Sequence, residues 1–166
     1  MPEVPIDYES LKIDFLKEME AMIGGKKQVV FVLDDETSNI IDLAVSFKIP
    51  YVAKIILTHA QVQKYEAYLG DLIEEWVRSI PDDTKVLLML DRNLDCFTRT
   101  IKGDKIANII LQNPRDNIIV QLWSSQYNDL DPQYTNIKSE NILRKPIDMF
   151  AFADFLTREF PVLTEA

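Results

Sequence analysis

Cysteine and histidine are each present once in the 166-residue chain, and glycine four times. A lone thiol, Cys96, cannot close an internal disulfide, so a disulfide-stapled scaffold is excluded and a reducing compartment fits. The single histidine, His59, follows a strand near a helix start, where a capping or surface role is the simplest reading. So few glycines dilute the ordered segments little, and with 47% hydrophobic residues a disordered chain is excluded outside the termini. Basic residues are also scarce, 18 Lys and Arg against 27 Asp and Glu, giving a formal charge of −9. Phosphate backbones and anionic lipid need clustered cations, so nucleic acid and membrane surfaces are poor partners. Long apolar runs are missing too, which excludes a membrane span. Residues 1–27 carry Glu3, Asp7, Glu9, Asp14, Glu18 and Glu20, which excludes a signal-peptide core. A cytoplasmic protein is expected.

What is present is a regular alternation of elements. Tyr8, Leu11, Phe15, Met19 and Ile23 recur at helical spacing, and Gly24-Gly25 ends that helix. It forms an N-terminal extension, residues 1–27, whose apolar stripe packs either on the main domain or on a second copy as a homodimer. Residues 28–166 read as the main domain. Short β-branched runs predict strands at 28–33, 51–58, 86–90, 118–123 and 142–144. Between them, helices are predicted after Thr37, with Ile40, Ala44 and Phe47 inward, over 59–80, over 98–112, briefly near 131–138, and over 147–160. Gly103 weakens the third of these. The last is rich in phenylalanine, as core packing requires. Alternating strands and helices predict an α/β fold, a flavodoxin-like doubly wound five-stranded parallel sheet of order 2-1-3-4-5.

In that order the first and third strands are neighbours, and ligands bind in the crevice at their carboxyl ends. The first strand ends in Asp34-Asp35, the third in Asp91, the fourth in Ser124 and the fifth in Lys145-Pro146. Each has a bland reading as a cap, turn or solvated loop residue. Their coincidence at the ends of one sheet is what points to chemistry. Crowded carboxylates require a cation, and Mg²⁺ takes oxygen ligands while bridging carboxylates to phosphate. A nucleophilic carboxylate, a metal site, a hydroxyl and a lysine are the parts of phosphoryl transfer to an aspartate.

The stretches VVFVLDDE, LLMLDRNL, VQLWSS and ILRKPI, in this order, resemble the receiver domains of response regulators over residues 28–160, roughly four fifths of the chain. The resemblance implies that Asp91 accepts the phosphoryl group. It implies that Asp34, Asp35, Asp91 and the main-chain carbonyl of Asn93 hold Mg²⁺, and that Ser124 and Lys145 complete the site. It further implies a histidine kinase or histidine phosphotransfer protein as donor and a downstream protein as target. Such a chain catalyses its own phosphorylation and dephosphorylation without turning over a separate substrate.

Three departures stand out. Ile142 occupies the position where the family usually has a switching aromatic, and Asp95 stands where it often has proline. The third is length: 55 residues lie between Asp35 and Asp91, against roughly 40 to 45 for two helices, a strand and their loops. The helical stretch from Val62 to Ile80 is expected to hold the difference. Little sequence follows the last helix, so output is expected through protein contact. The rival readings are a receiver-like interaction module that signals without phosphorylation and an aspartyl-phosphate hydrolase. The hydrolase would need an Asp-x-Asp pair where Asp34-Asp35-Glu36 stands. A flavin carrier would need Gly, Ser and Thr amides in that loop rather than two carboxylates.

Overall fold

The computed structural model describes residues 7–33, 51–91, 93–94, 101–124, 134–144 and 149–161. For His59, Asn93, Leu94, Ile101, Trp123, Ser124, Ser139, Leu143, Arg144 and Met149 it describes the backbone alone. The helix expected after Thr37 lies outside the described residues.

Every residue of β1 (Gln28–Leu33) is buried, as is β3 (Lys85–Asp91) from Val86 onward. Continuous apolar strands of this kind need cover on both faces, which dictates a parallel sheet with helices above and below. β1 lies between β2 (Ala53–Ile56) and β3, and β3 pairs with β6 (Ile118–Ser124), all in parallel, giving the order β2-β1-β3-β6. A three-residue strand, β7 (Ile142–Arg144), pairs in parallel with the end of β6. Second in the chain, β2 is shorter than expected because Thr58 leaves the strand to cap the next helix.

The two faces carry separate cores. Val29, Phe31, Leu33, Val86, Leu88 and Leu90 face one cluster, while Val30, Val32, Leu87 and Met89 face the other. The second is covered by α5 (Met149–Glu159) through Phe152 and Leu156, with Phe160 just beyond the helix. Phe155 is half-buried, but Phe150 is 85% exposed, so one of the phenylalanines expected in the core points outward.

The first face is covered by α1 (Tyr8–Ile23), by the run from 59 to 79, and by α4 (Gly103–Leu111). Asp7 accepts the Glu9 N–H at 3.1 Å to open α1, and Gly24 and Gly25, at φ +59° and +78°, close it. Leu11, Phe15 and Met19 are buried against the sheet. Burying three such side chains contributes about 5 to 9 kcal/mol as an upper bound. The half-exposed Lys64–Asp14 pair at 3.6 Å adds under about 1 kcal/mol. Packing therefore docks α1, and the stripe is spent on the domain.

The expected single helix over 59–80 is in fact α2 (His59–Tyr65), a 3₁₀ turn (Glu66–Tyr68) and α3 (Leu69–Ser79). Its stripe of Val62, Tyr65, Leu69, Ile73, Trp76 and Ile80 is buried as the periodicity predicts. The break comes where two aromatic contacts aim different ways: Tyr65 sits edge-on to Phe15, and Tyr68 edge-on to Tyr8, each at 5.2 Å. Tightening to 3₁₀ over these three residues lets both rings reach α1.

Two further expectations are corrected. α4 begins at Gly103 rather than near Thr98, because Ile101–Lys102 (β5) pairs antiparallel with Asn93–Leu94 (β4). Residues 134–138 are turn rather than helix, with a 3₁₀ turn at Ser139–Asn141. There the Asn136 and Lys138 N–H groups, which a helix would use, donate instead to the Asn108 and Asn141 side chains. Among the described residues no helix is long and apolar enough to cross a membrane.

Candidate functional site

Two carboxylates are buried among the described residues, Asp91 at 6% exposure and Asp104 at 4%. A buried carboxylate is costly unless hydrogen-bonded or paired, so where these two sit is informative. Asp91 is the last residue of β3, and Asp104 is the second residue of α4. Both make contacts within the fold, and the Asp104 Oδ1 accepts the Lys105 N–H at 2.8 Å.

Gly103 links the two positions. A Cβ built on it would stand 1.9 Å from the Asp91 carbonyl oxygen and 2.8 Å from its carbon. No side chain fits there, so the start of α4 lies directly on the backbone of the Asp91 end of β3. By local propensity Gly103 is only a weak helix residue. Its usable signal was a Gly-Asp pair placed just before the apolar positions Ile106, Ala107 and Ile110.

The strand register brings the residues that precede the other predicted ones to the same edge of the sheet. Leu33, which precedes Asp34 and Asp35, pairs with Leu90. Trp123, which precedes Ser124, pairs with Asp91 itself. Arg144, which precedes Lys145, pairs with Ser124. Asn93 stands two residues past Asp91, in β4 opposite Lys102. Asp34, Asp35, Lys145 and Pro146 lie outside the described residues, as do Cys96 and Asp95. Among the described residues no group of three or more His, Cys, Asp or Glu side chains could hold a metal. The donor set predicted from the sequence is all hard oxygen, which suits Mg²⁺, and Asp91 is its one described carboxylate.

Other singled-out residues have structural roles. Thr58 and Gln61 form a reciprocal capping box at the head of α2, so the cap is theirs and not that of His59, its first residue. Trp76 is buried with its ring 5.2 Å from Phe31. Ile142, at the family's aromatic position, is half-buried and packs against the larger core.

Three described groups away from this edge have shifted titrations. Burial raises the Tyr65 phenol above its ordinary value, with the Glu18 hydrogen bond adding to it. Burial likewise raises Tyr8, helped by Glu75 and Asp71. A hydrogen bond from Lys27 lowers the exposed Asp83 carboxyl. None of these groups is part of the predicted site.

Comparison of the chain with protein-family models, with curated proteins and with solved structures gives no match.

Proposed function

We propose that the chain is a receiver that accepts a phosphoryl group on Asp91 and signals through protein contact. The observation that carries this reading is a buried aspartate closing the central strand of a parallel sheet. The residues just before Asp34-Asp35, Ser124 and Lys145 are in register around it. Ligands of open parallel sheets bind at that edge. On this reading the short β7 is the fifth strand of a flavodoxin-like doubly wound sheet, and the protein is cytoplasmic.

In the reaction, an Asp91 carboxylate oxygen attacks phosphorus in line while the bond from phosphorus to the donor's imidazole nitrogen breaks, leaving an acyl phosphate and a neutral imidazole. Burial keeps Asp91 away from bulk water. Mg²⁺ held by Asp34, Asp35, Asp91 and the Asn93 carbonyl would neutralise charge on the phosphoryl oxygens. Lys145 and the Ser124 hydroxyl would meet the remaining oxygens. The donor is a histidine kinase or a histidine phosphotransfer protein, and the target a downstream protein.

A second reading, an interaction module that does not use phosphorylation, draws on two observations. Ile142 is half-buried against the larger core where a mobile aromatic would be expected, and β4, paired with β5, begins two residues past the acceptor.

Incubation with a small-molecule phosphodonor and Mg²⁺ separates them. Acid-stable, base-labile label on Asp91, abolished in Asp91→Asn, is the expected result. A folded protein that acquires no label under any donor would leave the interaction module as the reading.

A further inference from the structure

We propose that α4 is a rigid link that carries the state of Asp91 to the 134–141 segment, through a two-bond clasp between Asn108 and Asn136. The input rests on the phosphoacceptor reading; the mechanical link does not.

At its start, α4 has no slack. Gly103 lies against the Asp91 carbonyl so closely that a Cβ would stand 1.9 Å from the oxygen. Along its length, Ile106, Ala107 and Ile110 are buried in the larger core. Against the same Ile106 lies Gly70 of α3, where a Cβ would be 3.4 Å from Cγ1. A helix wedged between a strand end and another helix moves as a body, because close-packed interiors transmit displacement rather than absorb it.

Further along the helix, Asn108 reaches a different part of the chain. Its Oδ1 accepts the Asn136 N–H at 3.0 Å, and its main-chain carbonyl accepts the Asn136 Nδ2 at 3.2 Å. The carbonyl bond takes an acceptor that α4 leaves open near its end. From Asn136 the connection passes on through the same segment. Ile137 is buried in the larger core, and the Asn141 Oδ1 accepts the Lys138 N–H at 2.9 Å. The Asn141 Nδ2 donates to the Val120 carbonyl at 3.2 Å, and the Gln121 Nε2 to the Glu140 carbonyl at 3.1 Å. The segment is thus held between α4 and β6, and it leads directly into β7 and Lys145.

These bonds also revise how a change at Asp91 would reach the protein surface. The route is not only along β6 through Ser124; a shift of α4 at Gly103 pulls on 134–141 from the other side. The segment is short of regular structure and rich in side-chain-to-backbone bonds, the kind of element whose local opening a modest force can bias.

Hydrogen exchange on the full chain tests the link. Gly103→Ala, which pushes α4 away from Asp91, should speed exchange at residues 134–141 by about tenfold. In an Asn108→Ala background, already loosened there, the same substitution should add less than about twofold. If Gly103→Ala disturbs only β3 and α4, or acts equally in both backgrounds, the link is wrong. Should Gly103→Ala not fold, beryllofluoride with Mg²⁺ replaces it as the input. Exchange at 134–141 should change in the parent and stay unchanged in Asn108→Ala, although residues 85–91 are protected in both. A change at 134–141 in Asn108→Ala as large as that in the parent sinks the link. Absence of any protection at 85–91 in the folded parent removes the phosphoacceptor reading, and with it Asp91 as the input.

Discussion

The hydroxyl of Tyr65, a fully buried residue on α2, donates to the Glu18 carboxylate of α1 at 2.5 Å. This bond ties the N-terminal helix to the domain at the point where the long helical run breaks. It also raises the pH at which Tyr65 ionises, together with the larger contribution of burial.

A group with a raised folded-state pKa contributes stability that is complete below its unfolded value, near 10 for tyrosine, and is lost as pH rises toward the folded value. Stability of the parent should therefore fall above about pH 10 more steeply than that of Tyr65→Phe. At neutral pH the variant should be less stable by about 0.5 to 1.5 kcal/mol, since Glu18 can turn to water. Urea titrations of both proteins at pH 8 and pH 11 give the comparison, and a constant gap between them would rule the coupling out.

Gly103→Ala sets two effects against each other. Alanine is the better helix former by about 1 kcal/mol within a helix, and less at its first position. A methyl group 1.9 Å from a backbone oxygen forces a shift that costs about 1 to 3 kcal/mol. The clash should win, lowering the urea midpoint with an unchanged slope.

Arg115 holds the end of α3 with one side chain. Its guanidinium donates to the Val77 carbonyl at 2.8 Å, the Ile80 carbonyl at 2.7 Å and Asp82 at 2.7 Å. Arg115→Ala should cost about 2 kcal/mol, because carbonyls near a helix end lose a charged donor. Lysine keeps the charge but lacks the planar fork, so Arg115→Lys should recover less than half of that. Full recovery by lysine in thermal unfolding would mean that charge alone matters.

Phe15 and Asp14 are neighbours in α1 with opposite fates. Phe15 is fully buried, and Phe15→Ala should cost about 3 to 5 kcal/mol. Asp14 is half-exposed in its pair with Lys64, and Asp14→Ala should cost under about 1 kcal/mol. Similar costs for the two would mean that α1 is held by charge rather than by packing.

The sequence by itself determined the element types and the buried faces. Continuous β-branched runs need cover on both sides, and the stripe from Val62 to Ile80 has helical spacing whatever its partners. That is why β1 and β3 lie centrally, and why Leu11, Phe15 and Met19 point inward. For the same reason Asp91 was legible as a strand end, since an acidic residue closing an apolar run has little choice of position. Tertiary structure decided whatever depends on residues distant along the chain. The His59–Ser79 run breaks because Tyr65 and Tyr68 meet different rings on α1, which no local period encodes. α4 starts at Gly103 because β5 pairs with β4 and the Asp91 carbonyl leaves no room for a Cβ. Residues 134–138 lose their helix to the Asn108 clasp, two bonds across 28 positions that no local pattern encodes.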